Sequence, residues 1–219
     1  MICSNCSEKV RPVVAIDIDG TLGNYHAHFL QFAEMWMGRS IEPYRMYYTG
    51  QTGFGDWFTT TYGVDWTTFR QIKLAFRQGG MKRNMPVFDG APEFVRWLDD
   101  IGLEVWLTTT RPHERFDRVD PDTIEWLRRN GIEFAGLLYS DDKIEDLYER
   151  VDPARVLAVL DDQEDILTDV DRVFGRGIGI KRMTDWNESW TWYRQATSLD
   201  HAYRLIRDRL DTWQERELA

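Results

Sequence analysis

The sequence predicts an α/β fold, a doubly wound parallel sheet with a helical cap inserted after the first strand. Two observations carry that expectation. Short β-branched apolar runs alternate with helix-like stretches through most of the chain, the pattern of strands buried on both faces of a parallel sheet. Between Leu22 and Pro86 the alternation lapses for roughly 65 residues, far more than an ordinary connection needs. That segment reads as a structured insertion standing over the end of the first strand.

Taken in order, residues 1–11 are polar and read as a flexible tail. Pro12 to Ile18 (PVVAIDI) is the first strand. The insertion, residues 24–86, carries helical stretches at His26 to Met37 and Asp65 to Gln78 and is dense in aromatic residues. Ala91 to Asp100 reads as a helix stopped by Gly102, and Leu103 to Thr109 (LEVWLTT) as the second strand. The helix Pro121 to Asn130 leads to a third strand at Phe134 to Tyr139 (FAGLLY). Arg155 to Leu160 (RVLAVL) is the fourth and Gly177 to Lys181 (GIGIK) the fifth. Ser198 to Leu218 reads as an amphipathic helix capped by Ser198, with Ala202, Leu205, Ile206, Leu210 and Trp213 on its apolar side. The predicted division is thus a core of residues 12–23 and 87–197, a cap of residues 24–86 and a C-terminal helix of residues 198–219.

Composition limits the functions available. A chain of 219 residues has room for one α/β domain with a modest insertion. No apolar run approaches the ~18 residues that a membrane span needs, and the first residues lack the basic-then-apolar pattern of a secretory signal. The 2 Cys, Cys3 and Cys6, lie too close together for a disulfide framework, so the cytoplasm is the expected compartment. Their CxxC spacing is half of a zinc site with no second CxxC; His26 and His28 could complete it only if the tail folded back over the cap, and a flexible tail is the expected reading. A net charge of −10 disfavours polynucleotides. It leaves small phosphorylated ligands admissible, because a bound cation and a few local basic residues can invert the field inside a cleft.

The chemistry gathers at predicted strand ends, where open α/β sheets bind ligands. The first strand runs into Asp17-Ile18-Asp19-Gly20-Thr21, and the fourth ends in Asp161-Asp162. A calcium loop is the wrong reading of the first pair, since its sixth and twelfth positions, Leu22 and His28, should be Gly and Glu. Bare carboxylates at one sheet edge would repel and raise one another's pKa; a bound Mg²⁺, which keeps water and substrate oxygens in its shell, relieves that repulsion. The second strand ends in Thr109-Thr110-Arg111-Pro112, where a hydroxyl suits a phosphoryl oxygen. Lys143, after the third strand, is either a solvated charge or the cation that faces a transferring phosphoryl group.

These four motifs, in this order, resemble those of the haloacid dehalogenase superfamily, with its Rossmann-like core. The resemblance implies an Mg²⁺-dependent phosphatase. Asp17 would be the nucleophile that becomes an aspartyl-phosphate, and Asp19 the general acid and base. Thr109, eighth when counted from Gly102, would bind a phosphoryl oxygen, and Lys143 would neutralise charge. Mg²⁺ would be held by Asp17, the Asp19 carbonyl and Asp162, with Asp161 supporting directly or through another ligand. An Asp at position 19 is what phosphate-ester enzymes of the superfamily carry and dehalogenases lack.

The cap, the Pro86-Val87-Phe88-Asp89-Gly90-Ala91 stretch, and Trp186-Asn187 with Trp190 resemble the 5′(3′)-deoxyribonucleotidases. That resemblance implies a deoxynucleoside monophosphate substrate. Tyr25 would stack on its base, with Thr110 and Arg111 as further substrate contacts. The chain departs from that family at Thr-Arg-Pro, where Thr-Ser-Pro is usual. Arg111 followed by Asp122-Thr123-Ile124-Glu125-Trp126-Leu127 instead resembles polynucleotide 3′-phosphatases, the main alternative; the others are a phosphatase of another small metabolite and a non-catalytic ligand-binding protein. Cap-bearing families of this kind often form homodimers, and no residue pattern adds to that. Rings such as Phe29, Tyr47, Tyr48, Phe54, Trp57 and Phe58 are expected mostly to build the cap's own core. Arg70, Lys73 and Arg77, followed by Lys82 and Arg83, either steer anions to the cleft or form a solvated face opposite Phe69, Leu74 and Phe76; the solvated face is the expected reading.

Overall fold

A computed structural model describes residues 10–40, 53–188 and 190–217. Cys3, Cys6, Tyr47 and Tyr48 lie outside the described residues. Six strands form one sheet: β1 (Val13–Asp17), β2 (Glu104–Thr109), β3 (Gly136–Tyr139), β4 (Val156–Asp161), β5 (Gly179–Arg182) and β6 (Gln195–Ala196). All pairings are parallel, in the order β3-β2-β1-β4-β5-β6. The first five sit within two residues of their predicted bounds. β6 was not expected: two residues are too short to show a period, and they form a strand only because Lys181 and Arg182 offer a free edge.

Every residue of β1 is buried, because helices cover both faces of the sheet. On one face Val14 and Ile16 pack with α4 (Ala91–Asp100), α5 (Val119–Arg129) and α8 (Leu199–Glu217), through Phe94, Leu98, Trp126 and Ile206. On the other, Val13 and Ala15 pack with α6 (Lys143–Arg150) and α7 (Glu164–Phe174), through Ile144, Leu147 and Val170. Ser198 caps α8, accepting from the His201 N–H at 3.0 Å, which matches the predicted start. Arg11, assigned to the tail, is in fact tied to the core: its guanidinium reaches the Gly102 carbonyl at 3.2 Å and Asp99 at 2.5 Å.

The insertion contains α1 (Tyr25–Met37), α2 (Phe54–Tyr62) and α3 (Trp66–Gln78). α2 was not expected from its Thr-rich sequence; Trp57 and Phe58 hold it onto the cap. α3 is capped by Asp65, whose carboxylate accepts from the Thr68 N–H at 2.6 Å. Phe29, Phe58, Phe69, Ile72 and Phe76 make a cluster separate from the two sheet faces. The insertion leaves and rejoins the core at one place, where Gly23 bridges Val87 and the Asn24 N–H reaches the Pro86 carbonyl at 2.8 Å. Among the described residues no helix is long and apolar enough to cross a membrane.

Candidate active site

The strand order reverses between β1 and β4, the point where such sheets bind ligands beyond their carboxyl ends. Asp17 ends β1 and Asp161 ends β4, with Asp162 next; all three are buried. Lys143, the first residue of α6, reaches them from beyond β3. Its Nζ lies 2.5 Å from Asp17 Oδ1 and 2.7 Å from Asp161 Oδ2, and it is 1% exposed. The sequence left Lys143 open between a solvated charge and a site cation; the structure buries it between two carboxylates.

Burial pushes Asp17 up to about 7, against the pull of Lys143 and with the added charge of Asp161. Burial, then Asp17 and Asp161, raise Asp162 well above the carboxylate range. Asp161 is already engaged, by Lys143 and by the Gln163 N–H at 2.9 Å. In contrast, Asp17 Oδ2 and both oxygens of Asp162 are buried without a hydrogen-bond partner. Three orphaned oxygens on two mutually repelling carboxylates are a donor set that fits a hard divalent cation. Among the described residues no three acidic, His or Cys side chains form a ready-made metal cage. An Mg²⁺ site does not require such a cage, since the ion takes one or two carboxylates and leaves the rest of its shell to backbone, water and phosphate oxygens. The turn depends on Gly20: its φ is +101°, and a Cβ there would overlap the Asp162 carboxylate.

Asp19 faces the other way, into the cleft under the cap. Arg111 Nε donates to its Oδ2 at 2.9 Å and Nη2 to its Oδ1 at 2.6 Å, and Lys82 Nζ donates to Oδ2. Burial raises the Asp19 carboxyl, but these two cations outweigh it and hold it well below the carboxylate range. Arg111 is itself fixed by a 2.7 Å bond to Thr123 Oγ1. The residue expected to touch substrate therefore first positions Asp19. Thr109 is buried at the end of β2, its Oγ1 accepting from the Arg111 N–H at 3.3 Å, whereas Thr110 is exposed and lines the cleft. Thr108, the register partner of Asp17, keeps a buried hydroxyl without a partner.

A cavity of about 590 Å³ opens between cap and core. Asp19, Thr110 and Arg111 form its floor; Tyr25, His26, Phe54, Lys73, Arg77 and Lys82 come from the cap, Trp186 and Trp190 from the loop after β5, and Glu164 and Asp165 from the start of α7. Tyr25 lies under Lys82, whose Nζ is 4.1 Å from the ring centroid. Phe29 and Phe58 belong to the cap's interior, as expected, but Phe54 reaches the cleft. The solvated reading of the basic stripe holds for Arg70, which is exposed, and is overturned for Lys73, Arg77 and Lys82. Lys82 is 4% exposed, Lys73 and Arg77 face the cavity, and Leu74, placed on the apolar side, is 46% exposed. Phe69, Ile72 and Phe76 set the buried stripe of α3, and positions 73 and 77 flank it on the cleft side while 74 and 70 turn outward.

Sequence reasoning gave Asn187 no role of its own. Its Nδ2 donates to the carbonyls of Asp162 at 2.9 Å and Arg182 at 2.7 Å, and its Oδ1 accepts from the Thr184 N–H at 2.9 Å. Lys181, wholly buried, donates to the Asn187 carbonyl at 2.7 Å. The loop that carries Trp186 and Trp190 is thereby pinned to Asp162. A lysine in a short β5 run gave no sign of this.

No protein-family model and no curated protein sequence matches the chain. Solved structures do match its fold. A predicted phosphatase from Clostridium acetobutylicum superposes with a TM-score of 0.63 at 13% identity, over 91% of this chain and 99% of that one. A haloacid dehalogenase-like hydrolase from Streptococcus pneumoniae gives 0.60 at 12%, over 89% and 97%. A HAD hydrolase from Bacillus subtilis, solved with bound magnesium, gives 0.57 at 11%, over 90% and 99%. The chain therefore has the fold of the haloacid dehalogenase-like hydrolases, a six-stranded parallel α/β core with helices on both faces.

Proposed function

We propose that the protein hydrolyses phosphate monoesters through a phosphorylated Asp17, with Mg²⁺ held by Asp17, Asp162 and the Asp19 carbonyl. One observation carries this reading: Asp17 and Asp162 are buried together beside Lys143, with three carboxylate oxygens lacking any partner. The magnesium in the Bacillus subtilis structure supports the choice of ion. When bound, the ion neutralises charge on the nucleophile and the phosphoryl group.

A carboxylate oxygen of Asp17 attacks phosphorus, the ester P–O bond breaks, and the departing oxygen takes a proton from Asp19. Water then attacks the aspartyl-phosphate and gives its proton to Asp19. The P–O bond to Asp17 breaks, regenerating the carboxylate and releasing inorganic phosphate. Lys143 stabilises the charge on Asp17 before attack and after release, and the charge on the phosphoryl group between; the Thr109 hydroxyl and the Thr110 backbone would hold phosphoryl oxygens. In its clamp Asp19 is the carboxylate needed for the second step. Its acid role in the first step requires the substrate phosphate to draw Lys82 or Arg111 away from it.

For the substrate, a deoxynucleoside monophosphate is the favoured reading, that is, 5′(3′)-deoxyribonucleotidase activity. The rings of Tyr25, His26, Phe54 and Trp186 line a cavity in the usual range for small-molecule sites, and a base stacks on such rings at about 1–3 kcal/mol each. Polynucleotide 3′-phosphatase activity is the second reading, favoured by the cap cations in the same cavity. The test is phosphate release from dTMP, dUMP and a 3′-phosphorylated oligonucleotide, with Mg²⁺, with EDTA, and with Asp17→Asn. Release from the monophosphates should depend on Mg²⁺ and vanish in the variant. Equal release in all three conditions would refute the mechanism, and release from the oligonucleotide alone would replace the substrate.

A further inference from the structure

Of the four cations in the cleft, two are accounted for: Lys82 and Arg111 both bond to Asp19. The other two, Lys73 and Arg77, sit one helical turn apart on α3 and line the same cavity. Among the described residues neither forms an ion pair. Lys73 Nζ lies 5.4 Å from the Phe69 ring centroid, and Arg77 Cζ lies 5.6 Å from that of Phe116. In a chain with 37 acidic residues, both line the cleft with no carboxylate at ion-pair distance among the described residues, although Asp19 is near enough to attract Lys73. The acids of the cavity wall are Asp19, already clamped, and Glu164 and Asp165, which begin α7 on the core side.

We infer that Lys73 and Arg77 form a second anion subsite, and that the substrate is a nucleotide unit carrying two phosphate groups, one cleaved at Asp17 and one held by the cap. This rests on the reading of the cavity as a phosphatase site. Burial and the neighbouring charge of Arg77 lower Lys73 to about 8, against a weaker pull from Asp19, a penalty that a bound anion relieves further. The rings of Tyr25 and Phe54 line the cavity along with both cationic groups, leaving a place for the base. Two phosphates on one nucleoside arise in a free nucleoside 3′,5′-bisphosphate, or at a 3′-phosphorylated strand end whose next phosphate is a diester.

The experiment measures binding in EDTA, by calorimetry, of thymidine 3′,5′-bisphosphate, the 3′-phosphorylated dinucleotide d(TpTp), and thymidine 3′- and 5′-monophosphates. The wild type should bind a two-phosphate ligand at least tenfold more tightly than either monophosphate, as expected of one charge-assisted contact. Lys73→Met and Arg77→Met should each erase most of that ratio. Arg70→Met, on the outward side of α3, should keep it. A preference for d(TpTp) assigns the second phosphate to a strand end; a preference for the bisphosphate assigns it to a free nucleotide. Equal affinities in the wild type, or a ratio kept in both cleft variants, would overturn the inference. Phosphate release followed separately keeps the two readings apart. Tight two-phosphate binding without release would sink the phosphatase reading alone, and release without preference would sink this one alone.

Discussion

Arg111 meets Asp19 side-on, with two parallel hydrogen bonds of 2.9 and 2.6 Å, and is itself held by Thr123. The planar guanidinium fixes the carboxylate in both position and charge. Arg111→Met should lower kcat by about tenfold to a hundredfold, because the proton-transfer group loses its orientation. Arg111→Lys should not restore it, since one ammonium cannot reproduce a two-point grip. Full activity in the lysine variant would show that charge alone matters.

Lys143 is the sole described cation between Asp17 and Asp161. Removing it leaves buried carboxylates uncompensated, at a cost of about 3–5 kcal/mol. Lys143→Met should therefore melt well below the wild type without metal, and Mg²⁺ should restore part of the difference by neutralising the same oxygens. Activity should fall by about 10²–10³-fold. Melting curves with and without Mg²⁺ test the first claim; a metal-independent loss of stability would count against a cation site at Asp17 and Asp162.

Asn187 ties three backbone groups together, including the Asp162 carbonyl. Asn187→Ala should raise the Mg²⁺ concentration for half-maximal activity by about 10–100-fold, as loss of a group that orients a ligand does. A lowered Tm with an unchanged Mg²⁺ requirement would confine Asn187 to holding the loop.

Burial among the rings of Tyr25, Phe54 and Trp186 pushes His26 down to about 3. In the unfolded chain the imidazole titrates near ~6.5. Between those values the unfolded state binds a proton that the folded state excludes, so stability is fullest above about 6.5 and falls as pH drops toward 3. Urea unfolding at pH 7 and pH 5 should show a smaller loss for His26→Gln than for the wild type. Equal losses would mean that His26 titrates as if exposed.

The sequence by itself determined the core strands and the identity of the acids at their ends. Buried parallel strands must be apolar throughout, so VVAID and VLAVLD declare both their extent and the carboxylates that terminate them. Chain order likewise made Asp17, Asp162 and Lys143 candidates. What only the tertiary structure decided was the company each charge keeps. Lys82, Arg111 and Asp19 are brought together from distant parts of the chain, and no local period encodes such a meeting. The same holds for Lys73 and Arg77: a basic stripe reads alike in sequence whether it faces solvent or a cleft. The direction depends on how α3 is rotated by Phe69, Ile72 and Phe76 as they seek the cap's interior. β6 and the Asn187 tie exist only because folding presents them with a free strand edge and a buried carbonyl. Burial is local chemistry, written into residue type; the pairing of charges is a long-range outcome of packing.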